Sequence, residues 1–162
     1  PMGKMPPIGV NGQYISESLA IVDYLERLQP SPSIVPADPF AAAKAVELAC
    51  HIKLNVELVA RRCLPEALFN TPVSDETKAS TERDLDRGMQ AVGQLMVCSP
   101  YEAGDTFSIA DLYTYYSFGL ASTIGKKMFN KDILADYPQI AGLIEHLAER
   151  PSIKRVTIEA SS

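Results

Sequence analysis

The sequence predicts an α+β protein in which a β-hairpin and one helix precede a bundle made only of helices. An Asn-Gly pair stands between two short apolar runs near the start, and later segments repeat apolar residues every three or four positions. Four prolines fall among residues 29–39 and separate the two parts. We expect a partial β-hairpin-plus-helix domain at residues 1–28, a linker at 29–38 and an all-helical domain at 39–162.

The hairpin is predicted at residues 7–16. Asn11-Gly12 separates "PPIGV" from "QYIS", and Asn-Gly suits a two-residue type I′ turn because both positions need a positive φ. A helix should then begin near Ser16–Ser18. Its apolar residues form one stripe with two neighbours beside it: Leu19, Val22 and Leu25, flanked by Ile21 and Leu28.

A long helix is predicted from Asp38-Pro39, with Asp as N-cap and Pro in the first turn, to about Leu68. Its apolar residues occupy two faces: Ile52, Val56, Val59 and Cys63 on one, Leu54 and Leu58 on the other. A helix that is apolar on two faces must bury both, so we expect one in the core and the other against a partner subunit.

Three further helices follow. Ser74 opens the first, which carries a stripe of Leu85, Met89, Val92 and Met96. Ser108 opens the second, and Ser108 with Asp111 at the third helical position predicts a capping box that we regard as structural. Tyr137-Pro138 begins the last, and Pro151 ends or restarts it.

Composition excludes several classes of function. A net charge of −5 argues against nucleic-acid and anionic-membrane partners, and no apolar run approaches the roughly 20 residues that span a bilayer. Cys50, Cys63 and Cys98 are odd in number and far apart, which predicts free thiols in a reducing cytoplasm and no metal site. His51 and His146 fall within helical patterns and are interpreted as structural or surface residues.

A candidate binding site lies where "QYISES" passes from strand to helix. The first N–H groups of a helix lack intrahelical partners and carry partial positive charge, so they suit a carboxylate. Ser18 adds a hydroxyl donor, and Glu17 beside it can accept from an ammonium group. Together they fit the head group of an α-amino acid; the alternative is plain helix capping by Ser16 or Ser18.

These motifs together resemble the cytosolic glutathione transferases. Gly3-Lys4-Met5-Pro6 is similar to that family's turn before a strand, and "SESLAIVDYLE" is similar to its E-S-x-A-I and Y-L motif. "FSIADLYTYYS" and "DYPQIAGLIEHLAERPSIKRV" resemble the family's capping-box helix and closing segment. The resemblance covers essentially the whole chain and implies the C-terminal part of a thioredoxin-like domain followed by the family's all-α bundle.

The resemblance also implies roles for particular residues. Pro6 would be the family's cis-proline, and Met5 would pair its backbone with the cysteinyl part of glutathione. Glu17 and Ser18 would hold the γ-glutamyl group, and Lys4 would reach toward the glycine carboxylate. Glu57 would touch the γ-glutamyl amine bound to a neighbouring subunit, with a solvated helix face as the alternative.

The resemblance places a pocket for an apolar electrophile between the two domains. Its candidate lining is Val56, Ala60, Cys63, Tyr113 and Tyr116, and the alternative is that these residues are core. The family's thiol-activating Tyr, Ser or Cys lies in a first strand that has no counterpart here. We therefore expect the catalytic residue in a preceding segment, and little catalysis from these 162 residues alone.

Three functions follow as hypotheses. The first is a dimeric, cytoplasmic glutathione transferase acting in detoxification, which binds glutathione and a small apolar electrophile without a metal. The second is a binding or interaction module of the same fold that lacks catalysis. The third is a glutathione-dependent isomerase or reductase on the same scaffold.

Overall fold

The computed structural model describes residues 6–160, which form two compact units. One unit reaches to Val35 and the other begins at Pro36, a division that falls within the predicted linker. The α+β architecture is the predicted one, with a two-stranded sheet in the first unit and helices in the second. Within residues 6–160, the helices are all too short or too polar to cross a bilayer.

The first unit opens with the predicted hairpin. Strand β1 (Pro7–Val10) pairs antiparallel with β2 (Gln13–Ser16), with Pro7 opposite Ser16 and Val10 opposite Gln13. Asn11 and Gly12 have φ of 49° and 77°, the two positive values that a type I′ turn requires. The Asn-Gly pair thus sets the register of both strands.

Helix α1 (Ser18–Leu28) follows β2 directly and buries less of its apolar stripe than the periodicity predicts. Ile21 is buried, whereas Leu25 is 49% exposed and Leu28 is 62% exposed. A 3.6-residue repeat identifies the side on which apolar residues gather, but another element must cover that side to bury it. Ile21 is the residue of this helix that is buried, and the stripe toward the C-terminal end of the helix is exposed.

Glu26 of α1 fixes the start of the linker. Its carboxylate accepts the Ser33 hydroxyl at 2.5 Å and the Ile34 backbone N–H at 3.0 Å. The same hydroxyl oxygen accepts the Val35 N–H at 2.9 Å. The proline-rich segment contains no helix or strand, as predicted, and these hydrogen bonds satisfy polar groups of Ser33, Ile34 and Val35.

The second unit contains the remaining helices. They are α2 (Pro39–Ile52), a π-helical turn (Lys53–Glu57), α3 (Leu58–Ala60), a 3₁₀ turn (Arg61–Cys63), α4 (Leu64–Phe69), α5 (Asp75–Leu95), α6 (Ile109–Phe129), α7 (Pro138–Ala148) and α8 (Pro151–Ala160). The predicted helix starts are confirmed: Asp38 caps α2 by accepting Ala41 N–H at 2.8 Å, and Ser74 caps α5 by accepting Thr77 N–H at 3.2 Å.

The long helix predicted from residue 39 to about 68 is one continuous helical run that changes its winding twice. The π-helical turn packs closely against α5 at Gly88, because a Cβ added to Gly88 would stand 2.0 Å from the Asn55 carbonyl oxygen. Only glycine permits this approach. The sequence predicted the helical run and its ends, but it did not predict the π-helical and 3₁₀ turns within it.

The core of the second unit contains the predicted stripes. Ile52, Val56, Val59 and Cys63 are all buried, as are Leu85, Met89, Val92 and Met96. The second apolar face behaves differently, because Leu54 and Leu58 are exposed. Their burial against a partner subunit stays a prediction.

Candidate functional site

The end of the hairpin brings Pro6 and Glu17 close together. Because Pro7 faces Ser16 across the ladder, the residues that flank this pair, Pro6 and Glu17, lie at the same end of the sheet. Pro6 and Glu17 are both exposed, and Ser18 is half-buried. Two parts of the predicted glutathione site therefore lie at one end of the sheet, although Pro6 and Glu17 are 11 positions apart in the chain.

Glu17 has an unusual backbone conformation. Its φ is 73° and its ψ is 122°, in a region that residues with a Cβ seldom adopt. Such a conformation costs on the order of 1–3 kcal/mol and occurs preferentially at binding sites and active sites. The sequence contains no sign of this strain, since the turn that produces it depends on how β2 meets α1.

The N-terminus of α1 has the geometry of an anion site. Its first helical bond runs from Ile21 N–H to the Glu17 carbonyl at 3.0 Å, so the N–H groups of residues 18–20 precede the intrahelical ladder. Ser16 belongs to β2, and the N-cap position is taken by Glu17. Among the described residues no side chain caps this helix end. Capping by Ser16 or Ser18, the simpler alternative, is thus not what the structure contains.

Two of the predicted glutathione-binding residues, Lys4 and Met5, lie outside the described residues. The same is true of the peptide bond that joins Met5 to Pro6, so the cis-proline stays a prediction. Glu17, Ser18 and Pro6 are the members of the predicted set whose positions the structure gives.

The predicted electrophile-pocket residues separate into two groups. Val56, Ala60 and Cys63 are each 0% exposed and Tyr113 is also buried, which is the core arrangement that formed the alternative. Tyr116 is 47% exposed, and its ring meets the Tyr115 ring edge-on at 5.1 Å between centroids. Partial burial beside Tyr115 raises the pKa of Tyr116. Only Tyr116 of these five could touch a substrate without displacement of its neighbours.

Glu57 has partners within its own chain. One carboxylate oxygen accepts the Ser117 hydroxyl at 2.6 Å and the other accepts Arg61 Nε at 2.7 Å. Its side chain is largely buried. A solvated helix face, the alternative considered for Glu57, is therefore not what the structure shows, and contact with a neighbouring subunit would compete with both bonds.

Sequence reasoning missed a buried carboxyl at Glu102. Glu102 lies in "SPYEAGDT", between two predicted helices, and is 6% exposed, and its N–H donates to Asp111 at 2.9 Å. The sequence contains one indication that Glu102 is buried: it stands between Tyr101 and Ala103, and an acidic residue between apolar residues in a short loop can point inward.

Comparison with known proteins gives the family. The sequence model for "Glutathione S-transferase, C-terminal domain" matches residues 66–156. A glutathione S-transferase of Pseudomonas putida is 36% identical over 156 residues, which are 96% of this chain and 71% of that protein. A probable maleylacetoacetate isomerase 1 of Drosophila melanogaster is 29% identical, over 92% of this chain and 57% of the relative. The crystal structure of a glutathione S-transferase from Methylobacillus flagellatus with glutathione bound superposes with a TM-score of 0.77, at 20% identity, over 95% of this chain and 75% of that one. The chain therefore belongs to the glutathione S-transferase family.

Proposed function

We propose that this protein binds glutathione at the end of its hairpin and conjugates the glutathione thiolate to an electrophilic small molecule. The observation that carries the proposal is the strained Glu17 at the N-terminus of α1. Strain of this kind persists where it places a group for binding. The chain's membership in the glutathione S-transferase family and the glutathione bound in a structural neighbour support the same ligand.

The γ-glutamyl end of glutathione matches this corner chemically. It carries one carboxylate and one ammonium on the same carbon. The carboxylate would accept hydrogen bonds from the first N–H groups of α1 and from the Ser18 hydroxyl, where the helix dipole favours an anion. The Glu17 carboxylate would accept from the ammonium, and a charge-assisted bond of this kind is among the stronger ones.

The remainder of glutathione would extend along β1. In this proposal the Met5 backbone pairs with the cysteinyl part, Pro6 orients that pairing, and Lys4 attracts the glycine carboxylate. Tyr116 is the residue proposed to contact the electrophile, because its ring is both exposed and apolar. The group that activates the thiol is assigned to none of the 162 residues.

The chemistry proposed is that of thiolate activation combined with proximity. The thiolate is the nucleophilic form of a thiol, so a site that stabilises it increases attack at neutral pH. Holding both reactants together converts a bimolecular step into an effectively unimolecular one. We further propose that the protein works as a homodimer. We also propose that it works in the cytoplasm, and its three free cysteines support that location.

Calorimetric titration with glutathione tests the binding site. Glu17→Ala should weaken glutathione binding by about tenfold to a hundredfold, the loss expected for a hydrogen bond to a charged group. Ser18→Ala should weaken it by up to about tenfold. The matched controls are Glu76→Ala in the first turn of α5 and Ser152→Ala in the first turn of α8, both exposed and expected to leave the affinity unchanged. Unchanged affinity in both test variants would reject the site.

A second candidate function is glutathione-dependent isomerisation. It is favoured by one observation, the similarity to proteins named maleylacetoacetate isomerase and maleylpyruvate isomerase. Parallel assays with an aryl halide and with maleylacetoacetate, each with and without glutathione, distinguish conjugation from isomerisation. Glutathione binding without either activity in the full-length protein would support the second hypothesis, a binding or interaction module that lacks catalysis.

A further inference from the structure

A buried pair of carboxyl groups lies where the loop of residues 96–108 meets α6. The backbone N–H of Glu102 donates to one oxygen of Asp111 at 2.9 Å. Glu102 is 6% exposed and Asp111 is 0% exposed, so both are removed from solvent. Burial disfavours the ionised form of each carboxyl group, and ionising both adds the repulsion between their charges.

Asp111 is the better placed of the two to carry a negative charge. Its second oxygen accepts the Ser108 N–H at 2.7 Å and the Ser108 hydroxyl at 3.0 Å, which gives Asp111 three donors in all. It also lies in the first turn of α6, where the helix dipole favours an anion. This confirms the predicted capping box and shows that it has an acidic neighbour.

Glu102 has weaker support for a charge. Its two oxygens accept from Cys98 Sγ at 3.4 Å, which is a weak donor, and from Val97 N–H at 3.3 Å, which is a long bond. Burial, with the charge of Asp111 adding, raises the pKa of Glu102 to about 7. Burial also raises the pKa of Asp111, against the effect of its donors. Cys98 can donate to an ionised Glu102 or accept from a protonated one, so it tolerates both states.

Arg150 and His146 pack on this loop and contact its aromatic residues. Arg150 donates to the Tyr101 hydroxyl at 2.9 Å, and its guanidinium carbon stands 3.9 Å from the centre of the Phe107 ring. The His146 ring lies 5.4 Å from the Tyr101 ring. Two further ionisable side chains lie here: Tyr115, which packs with Tyr101 and Phe107 against Leu143, Leu147 and Ile153, and Asp105, which is exposed.

We propose that the loop between α5 and α6 is a proton-sensitive brace, closed on the start of α6 while Glu102 holds a proton beside the ionised Asp111 and open when both are ionised. Opening returns the Glu102 carboxylate to water and ends its repulsion with Asp111. Cys98 has a φ of 54°, a left-handed conformation that is unfavourable for a residue with a Cβ. Opening of the loop would also relieve this backbone strain. Because α6 carries Tyr116, the brace would link pH to the helix proposed to contact the electrophile.

The direction of the pH dependence follows from proton binding. The closed loop holds the Glu102 proton up to a pKa of about 7, whereas the open loop releases it near the ordinary value of 4.5. Rising pH therefore favours opening. The opening equilibrium constant should grow by close to tenfold per pH unit between these two values and level off above the upper one.

Amide hydrogen exchange of the purified chain between pH 5 and 8.5 tests this inference. Protection factors, from which the intrinsic pH dependence of exchange has been removed, should fall for residues 97–111 as the pH rises. Those of the middle of α5, around the buried residues Leu85 and Met89, serve as the internal reference. Glu102→Gln should remove most of the decline, while Glu145→Gln, an exposed glutamate of α7, should leave it intact. Equal declines in the Glu102→Gln variant and the wild type would overturn the proposal.

A measurement on the wild-type chain protects the test against a variant that folds poorly. Carbon-13 NMR of the glutamate carboxyls should show Glu102 titrating near pH 7, well above the exposed glutamates. If the Glu102 carboxyl titrates at the same pH as the exposed glutamates, the proposal is overturned, regardless of how hydrogen exchange changes in the Glu102→Gln variant. This outcome is independent of glutathione binding, so it is distinguishable from a failure of the proposed function.

Discussion

Ser117 of α6 donates a hydrogen bond to Glu57 of the π-helical turn, with 2.6 Å between the two oxygens. The residues are 60 positions apart in the chain, so the bond connects two helices. The same carboxylate accepts Arg61 Nε at 2.7 Å, and Ser117 is buried. The pair therefore fastens the irregular turn to the central helix of the second unit.

Loss of the Ser117 hydroxyl should destabilise the protein. Ser117→Ala removes a buried donor to a charged group, and we expect the free energy of unfolding to fall by about 1.5–3 kcal/mol. Urea unfolding measures this change. Thr123→Ala is the control, since Thr123 is an exposed hydroxyl on the same helix that bonds only to a backbone carbonyl. Equal effects in the two variants would show that the bond to Glu57 contributes nothing.

A methyl group at Gly88 should be poorly tolerated. The added Cβ of Gly88→Ala would stand 2.0 Å from the Asn55 carbonyl oxygen, so α5 and the π-helical turn must separate. We expect a loss of about 1–3 kcal/mol in the free energy of unfolding. Gly142→Ala on α7 meets nothing within 4 Å and should instead stabilise the chain by about 0.5–1 kcal/mol, because alanine favours the helix. Thermal unfolding should place the two variants on opposite sides of the wild type.

The two N-caps should differ in their contribution to stability. Ser108→Ala removes a buried hydroxyl bonded to Asp111 and should cost about 1–2 kcal/mol, whereas Ser74→Ala at an exposed cap should cost about 0.5–1 kcal/mol. Chemical unfolding of both variants under the same conditions checks the order. A larger loss at Ser74 would contradict the importance given to the buried network around α6.

One of the three cysteines should react readily in the native chain. Cys63 is buried, and burial is the main cause that raises the pKa of the Cys98 thiol, with the charge of Glu102 adding when that carboxyl is ionised. Since the thiolate is the reactive form, both should react slowly and half-buried Cys50 should react first. Titration with a pyridyl disulfide at pH 6, where Glu102 holds its proton, should show one fast thiol that Cys50→Ser removes. A fast phase that survives in that variant would contradict the assignment.

The sequence predicted those features that depend on a few adjacent residues. Asn11-Gly12 specified the hairpin turn, Asp38-Pro39 specified a helix start, and Ser108 with Asp111 specified a capping box. Each is satisfied by local hydrogen bonds or dihedral angles, so no distant residue is needed to predict it. The Glu17-Ser18 pair was found in the same way, from the physics of a helix end.

Features that depend on distant contacts were missed or misjudged. The exposure of Leu25 and Leu28 depends on which element covers α1, and the periodicity of α1 alone does not contain that information. The burial of Glu102 depends on Asp111, nine residues further on, and on the packing of Tyr101 against His146 and Arg150. The π-helical turn requires the close approach of Gly88, which lies 31 residues after Glu57.

The long helical run from Pro39 to Phe69 winds loosely at Lys53–Glu57 and tightly at Arg61–Cys63, and the two deviations have opposite senses. Buried residues nevertheless recur at the ordinary interval through both turns: Ile52, Val56, Val59, Cys63 and Ala67. Deleting one residue from the 3₁₀ turn would rotate everything beyond it by about 100° and bring Ala67 out of the core. The π-helical turn holds one residue more than an α-helical turn, so it can lose a residue and rewind as α-helix. Single-residue deletions in this part of the gene should therefore survive in descendants at Lys53–Glu57 and be lost at Arg61–Cys63.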